Sequence, residues 1–437
     1  MADRHVEYAL IGGGLAAGNC ARWLRESGAD GTILLIGRET DLPYNRPPCS
    51  KGYLQDKESR AETLFRPPEW YEEQRIEALT RVSAKSLDIA ERTVALSNGQ
   101  EVSFDKALIA TGAGVRRVSV AGAELEGIHY LRTLGNSDAI RADAAGKRVV
   151  LIGGSYIATE VAASLTELGS SCSLVMLEPV ALSRGFGEQA GRFFQERLEE
   201  HGIEVHGDDE LDRFEGAGGR VTHVITKRGR RIAADVVVVG VGAVPDVRLS
   251  RTAGLEIGEL GGVKVNSRLE TSVPGIFAAG DIAEYDSVVH GGRSQRIEHW
   301  DVAFNQGKTA ALNMLGQDHA HDVVPYFFSD LSEWASLEYV GPAREWEHEI
   351  VRGSIDDGEF TIFYLKDGRV AAALTVGRSD DLEHAGRLLS QRRRRAGSAW
   401  RARGRLERPG RDCLGRARLR TEPNTRAQSR AAARRDR

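Results

Sequence analysis

Two stretches of small residues have the spacing of anion-binding turns. Gly12-Gly13-Gly14-Leu15-Ala16-Ala17 and Gly153-Gly154-Ser155-Tyr156-Ile157-Ala158 each follow an apolar run and precede a helical pattern. Such a turn suits a pyrophosphate. Gly12 permits the tight strand-to-helix reversal, Gly14 lets the backbone approach phosphate oxygens, and Ala17 keeps helix and strand close. The free N–H groups of the first helical turn then face the anion. In the second stretch Ser155 stands where a glycine is usual; its hydroxyl is small and can donate to a phosphate. Glu178, 25 residues after Gly153, is expected to end the following strand. A carboxylate there accepts from a free ribose hydroxyl and repels a 2′-phosphate, which favours NADH over NADPH. The first unit reads Gly37-Arg38-Glu39 at the corresponding place, with Arg38 where an acid is usual.

The elements that must hold these turns are legible as apolar runs and helical periods. A strand over 7–11, a helix through Ala21, Leu24 and Arg25, and a strand over 32–36 make one β-α-β unit. A strand over 148–152, a helix over 159–168 and a strand over 172–177 repeat it 141 residues on, too far apart for a solenoid. Further strands are expected at 94–96 and at 106–109, the latter ending at Ala110-Thr111-Gly112. A run over 234–239 ends at Gly240-Val241-Gly242, and 275–278 leads into Ala279-Gly280-Asp281. Asp367-Gly368 between apolar runs at 359–365 and 369–376 predicts a hairpin. Asp380, with Glu383 three residues on, predicts the cap of a helix reaching Ser390.

Composition narrows the class. The 437 residues are 41% hydrophobic and 28% charged, a globular balance sufficient for about three domains. The four cysteines, Cys20, Cys49, Cys172 and Cys413, form no CxxC or CxxxxC pair, which argues for a reducing compartment and against a dithiol relay. No apolar run is long enough to span a membrane, and the opening residues lack a secretory pattern; a cytoplasmic location is expected. The formal charge of −4 conceals an acidic body and a basic end, since 392–437 holds 17 arginines against four acidic residues. That segment cannot bury enough apolar surface to order itself, so a disordered tail is expected. A tether to nucleic acid or to an anionic membrane is one reading; a solvated tail or a non-native reading frame is the plainer one, and neither a nucleic-acid nor a membrane partner is expected.

Arg46-Pro47-Pro48-Cys49-Ser50-Lys51, Ala110-Thr111-Gly112, Leu131-Arg132-Thr133-Leu134 and Ala279-Gly280-Asp281 occur in order around the second glycine turn. With them the chain resembles the FAD-dependent pyridine-nucleotide reductases of the ferredoxin, putidaredoxin and rubredoxin reductase type, and the flavin-binding portion of apoptosis-inducing factor. The resemblance covers residues 5 to 390. It implies an α/β fold of two Rossmann-like three-layer domains plus a small α+β C-terminal domain. FAD binding would fall to 1–118 and 247–322, NAD binding to an inserted 119–246, and a reductase or dimerisation domain to 323–391.

The same resemblance implies roles. Gly12, Gly14, Ala16 and Ala17 would serve the FAD pyrophosphate, and Arg38 and the backbone of Val82 the adenosine end. Arg46, Ala110, Thr111, Gly112, Arg132 and Gly280 would complete that site, with Asp281 accepting from a ribityl hydroxyl. Gly153, Ser155, Tyr156, Ile157, Glu178 and Gly242 would hold NADH. Lys51 would sit beside the reactive flavin nitrogen, paired with Glu160; a plain interdomain salt bridge is the alternative. Glu298, His299 and Trp300 would approach the far side of the ring, and Tyr326-Phe327-Phe328-Ser329-Asp330 would close over it. No metal site is assigned. The implied activity carries electrons from NADH through FAD to a ferredoxin- or rubredoxin-like protein, by a monomer or homodimer. Two alternatives stay open: a small-molecule acceptor (quinone, peroxide, or a disulfide reduced through Cys49) and an NADH-sensing flavoprotein like apoptosis-inducing factor.

Overall fold

The computed structural model describes residues 2–341, 343 and 345–390; the arginine-rich stretch 392–437, expected to be disordered, lies outside them. The architecture is mixed α/β, with two sheets rich in parallel pairs and a C-terminal antiparallel sheet. Continuous apolar runs set the parallel sheets: Ile33–Ile36 and Val236–Val239 are buried at every position, as strands covered on both faces must be.

In the first sheet the order is Ile76–Leu79, Ile33–Ile36, Arg4–Ile11, Glu101–Ile109, Thr93–Leu96 and Ala84–Asp88, with Ile276–Ala278 also pairing with Glu101–Ile109. Its parallel strands end level. Ile11 pairs with both Ile36 and Ile109, and Ala278 pairs with Ile109. The chain therefore leaves neighbouring strands together, at Gly12, Ala110 and Ala279, and opens the crevice at which parallel sheets bind ligands. The helix Leu15–Glu26 follows the first of these exits, as the glycine spacing predicts.

The second sheet is parallel throughout, in the order Glu204–His206, Ser171–Val175, Arg148–Ile152, Val236–Val239 and Ile128–Tyr130. Its helix starts at Tyr156 rather than 159, because Ser155 is extended and ends the turn itself. Its next strand stops at Val175, so Glu178 lies beyond the strand end rather than on it. The chain passes into and out of this region through two short antiparallel strands, Ala113–Val115 and Ala243–Pro245. A three-stranded antiparallel sheet over Leu211–Ala217, Arg220–Thr226 and Arg231–Ala233 was not expected; it lays Leu211, Phe214 and Val224 on Val150 and Val237.

The C-terminal sheet runs Tyr326–Leu331, Ala335–Val340, Arg369–Val376, Glu359–Lys366 and His348–Ser354, antiparallel throughout. The predicted hairpin forms: Lys366 pairs with Arg369, and Asp367 and Gly368 both take positive φ, the conformation that a two-residue turn of this hand needs. Phe360, Ile362 and Tyr364 face Phe186, Phe193 and Phe194 of the helix Ser183–Glu200, whereas Phe363 and Leu365 face Leu382, Ala385 and Leu389. The last helix begins at Ser379, which puts Asp380 in its first turn instead of at its cap.

The helices Leu15–Glu26 and Trp300–Met314 meet backbone to backbone at Gly307, where an added Cβ would stand 2.4 Å from the Ala16 carbonyl oxygen. Because that oxygen belongs to the glycine-turn helix, it cannot yield without moving the turn. Gly307→Ala is expected to cost about 1–3 kcal/mol in chemical denaturation. Gly135→Ala, at a helical position with only ordinary contact nearby, is expected to be neutral or slightly stabilising.

Candidate active site

A cleft of about 490 Å³, the size of a ligand site, runs along the carboxyl ends of the first sheet. It gathers most of the predicted residues. From the first sheet's side come Gly12, Gly14, Ala16, Arg38, Arg46, Lys51, Val82, Ala110, Thr111, Gly112, Arg132, Gly280 and Asp281. Ser155, Tyr156, Ile157, Glu160 and Gly242 face them from the second sheet's side, and Glu298, His299 and Trp300 close one end. Three of the residues assigned to the two cofactors do not line it. Ala17 is fully buried behind the turn, consistent with its packing role. Gly153 has a φ of +125°, and a Cβ there would stand 2.4 Å from the Gly240 oxygen. Glu178 is at the second turn instead, its Oε2 3.2 Å from where a Cβ on Gly154 would be.

Both turns fit a pyrophosphate. Neither Gly14 nor Ser155 caps its helix with a side chain, and neither helix has an acidic residue in its first turn. No side chain spends the N–H groups of these first turns, and the positive helix ends stay uncompensated. At Gly12 a Cβ would clash with the Ala110 oxygen at 2.1 Å, whereas nothing stands within 4 Å of one at Gly14. The turn is thus tight where it packs and open where a phosphate would approach.

One end of the cleft is organised by ion pairs that the sequence did not reveal. Arg38 donates to Asp246 at 2.6 Å, and Thr111 donates to the Asp246 carbonyl at 3.0 Å. Val82 spends its N–H on Gly37 at 2.9 Å. Glu39, the acid next to Arg38, is committed to Arg46 at 2.5 Å and to the Tyr44 hydroxyl at 2.6 Å. Burial raises the Glu39 carboxyl, but Arg46 beside it outweighs that and holds it below the usual carboxylate range. Arg46 also donates to the Arg132 carbonyl, and Arg132 donates to Asp281 at 2.7 Å. Arg132 and Asp281 therefore form a pair instead of two separate contacts.

The mouth between the two sheets is built around Glu160, which is 6% exposed. Its Oε2 accepts from the Ser50 hydroxyl and its Oε1 from the Ser329 hydroxyl, each at 2.6 Å. Lys51 Nζ lies 3.3 Å from Glu160 Oε1 and donates to Asp330 Oδ2 at 2.8 Å. The ammonium also stands over the Phe328 ring, 4.8 Å from its centre. The expected Lys51–Glu160 pair forms, and Ser50, Ser329 and Asp330 join it. These three stood inside motifs whose spacing was read, yet nothing in one dimension joins residues 50, 160 and 330. Cys49 is buried, and desolvation pushes its thiol up to about 12, which removes the thiolate that redox chemistry needs.

At the cleft's end, the His299 ring accepts from the Asp301 N–H at 3.3 Å and so caps the helix Trp300–Met314. Burial lowers His299 to about 4, so the imidazole is neutral at physiological pH. It packs against Phe327 and Phe328. Trp300 donates to Asn45 at 2.9 Å and stacks on Phe304. Asp301 is raised to about 6 by burial, although it accepts from Asn305.

Residues 6–307 match the family model described as pyridine nucleotide-disulphide oxidoreductase, and 326–401 match the reductase C-terminal model. The chain is 32% identical to human apoptosis-inducing factor 3 over 84% of its own length and 60% of that protein's. To a ferredoxin–NAD(P)(+) reductase of Sphingomonas it is 32% identical over 89% of its length and 94% of the relative's. The crystal structure of the ferredoxin reductase for the CYP199A2 system of Rhodopseudomonas palustris superposes with a TM-score of 0.82, at 32% identity over 86% of this chain and 92% of that one.

Asp301 gives the site a pH signature. Its folded-state value of about 6 exceeds the ordinary 3.8, so between them the folded chain keeps a proton that the unfolded chain has released. Its contribution to stability is full below 3.8 and is lost as pH rises through about 6. Asp301→Asn is expected to remove that downward component, so that the melting temperatures of variant and parent diverge, in the variant's favour, from pH 4 to pH 7.

Proposed function

The chain belongs to the pyridine nucleotide-disulphide oxidoreductase family, and we propose that it is an NADH-dependent FAD flavoprotein reductase serving a ferredoxin- or rubredoxin-like electron acceptor. The observation that carries this reading is the Lys51–Glu160 cluster, set in the cleft between the two glycine turns. FAD supplies the change from a two-electron donor to one-electron acceptors, which side chains cannot perform. The residues around it bind, orient and place charge.

In this reading Gly12, Gly14 and Ala16 hold the flavin pyrophosphate on the N-terminus of the helix Leu15–Glu26, and Arg38 and Val82 border the adenosine end. The Arg132–Asp281 pair flanks the chain between pyrophosphate and ring. Lys51 would place a positive charge where negative charge develops on reduction, a form of electrostatic preorganisation. Glu160, itself held by two hydroxyls, is a fixed anion beside that lysine. Ser155 leaves the second helix end free for the NADH pyrophosphate, and Glu178 beside Gly154 meets the ribose. Tyr156, packed 4.5 Å from Phe327, walls the space where the two rings would meet. The antiparallel pair Ala113–Val115 and Ala243–Pro245 supports an inserted nicotinamide domain over 119–246, with flavin binding by 1–118 and 247–322 and a reductase-type domain over 323–391. No helix among the described residues is long and apolar enough to cross a membrane, and a cytoplasmic location is part of the proposal.

The acceptor class follows the Sphingomonas and Rhodopseudomonas relatives, which match this chain nearly end to end. A thiol-mediated reduction through Cys49 is not favoured, given its burial and raised thiol.

Anaerobic titration with NADH is expected to bleach the flavin absorption of the purified protein, and NADPH to do so far less. Added iron–sulfur ferredoxin or rubredoxin should then restore the oxidised spectrum faster than peroxide or quinone does. A protein that cannot be reconstituted with FAD would end this reading; faster reoxidation by peroxide would replace the protein acceptor with a small one. Glu178→Arg is expected to shift the preference between NADH and NADPH by at least tenfold, roughly the 1.4 kcal/mol of one charged contact, measured as the ratio of kcat/KM values.

A further inference from the structure

Glu160 does not need the lysine in order to be satisfied. Each of its oxygens accepts a hydroxyl hydrogen bond, from Ser50 and from Ser329, which leaves the carboxylate fixed. Lys51 is the member with a choice. Its shorter bond, at 2.8 Å, goes to Asp330, and Glu160 Oε1 lies at 3.3 Å. The two carboxylates differ in setting: the Glu160 side chain is 7% exposed and that of Asp330 35%. The ammonium therefore lies between a fixed, buried anion and one at the solvent edge, and it leans toward the second. Asp330 is carried by the strand Tyr326–Leu331, whose Phe328 supplies the ring beneath the same ammonium.

We propose that Asp330 is a positioning residue that draws the Lys51 ammonium outward and so limits the positive charge presented to the bound flavin, lowering its reduction potential. The proposal rests on the reading that the flavin ring lies beside Lys51. A carboxylate in contact with an ammonium cancels most of its field at longer range. Removing the charge but keeping the shape frees the lysine to act on the ring.

The test is the midpoint potential of the flavin in the holoprotein, for the parent and for Asp330→Asn, Asp330→Ser, Asp330→Glu, Lys51→Met and the double variant Lys51→Met/Asp330→Asn. Flavin content and circular dichroism establish which variants are folded, and Asp330→Ser is a second neutral variant should the first fail. Asp330→Asn is expected to raise the midpoint by about 30 mV, a tenfold change in the reduction equilibrium of a two-electron couple. Asp330→Glu should restore it, and Lys51→Met should lower it. In the Lys51→Met background the Asp330→Asn shift should fall to less than half. An unchanged midpoint in both neutral Asp330 variants, with Lys51→Met still lowering it, overturns the role of Asp330 alone. A shift of full size without the lysine shows direct action and overturns positioning. No response to Lys51→Met would instead overturn the placement of the flavin beside Lys51.

Discussion

A buried carboxylate is the constraint around which this molecule is arranged. Glu160 sits on the second Rossmann helix at 6% exposure, where an uncompensated charge would be prohibitive. The hydroxyls that satisfy it come from the loop after the first β-α-β unit (Ser50) and from the C-terminal sheet (Ser329), with the Lys51 ammonium alongside. Three distant parts of the chain meet at this carboxylate. The cleft is a product of that meeting, because the same loop, helix and strand supply its walls. Ser164, one turn along the same helix, donates to the Ser50 carbonyl, and Gln55 bridges Ser164 and Ser332, so the junction is a network and not a single bond. Buried networks of this kind favour one arrangement over its near alternatives when every member is satisfied.

The aromatic wall behind the cluster completes the junction without polar atoms. Tyr156, Phe186, Phe327 and Tyr339 contact one another with ring centres 4.5–5.9 Å apart. They join the second helix, the Ser183–Glu200 helix and the C-terminal sheet. The helix breaks at Gly187, whose φ of +81° turns the chain so that the Phe186 carbonyl can accept from Tyr364. A Cβ there would displace the Glu349 carboxylate and press on Trp346, and the positive φ itself favours glycine.

What was legible in the sequence was periodic or chemically forced. Both glycine turns, the buried runs around them and the Asp367-Gly368 hairpin needed no tertiary information, because backbone conformation alone dictates those residue types. The Lys51–Glu160 pair was reachable only through the resemblance, since its partners lie 109 positions apart. Less visible were contacts in which a charged residue chose among several partners. Arg38, Arg132 and Asp281 read as separate cofactor contacts, yet Arg38 pairs with Asp246 and Asp281 holds Arg132. The strand ends near Glu178 and the helix start at Tyr156 shifted by a few residues because hydrogen-bond closure, not hydrophobicity, sets them. The small sheet over 211–233 escaped notice because its charged and glycine residues face outward and leave only isolated apolar positions to mark each strand.

The first sheet also has a history built into it. Glu101–Ile109 acquires its partner Ile276–Ala278 only after the whole second sheet has intervened in the chain. On a ribosome the sheet begun by the first 110 residues must wait, with the 107–109 end of one strand edge bare, until nearly two-thirds of these residues have been made. The intervening stretch, entered and left through one narrow ribbon, can close its own all-parallel sheet in the meantime. Synthesis order thus imposes an interval in which a hydrophobic edge is exposed, and during it the unfinished chain is most vulnerable to mispairing and most in need of a chaperone.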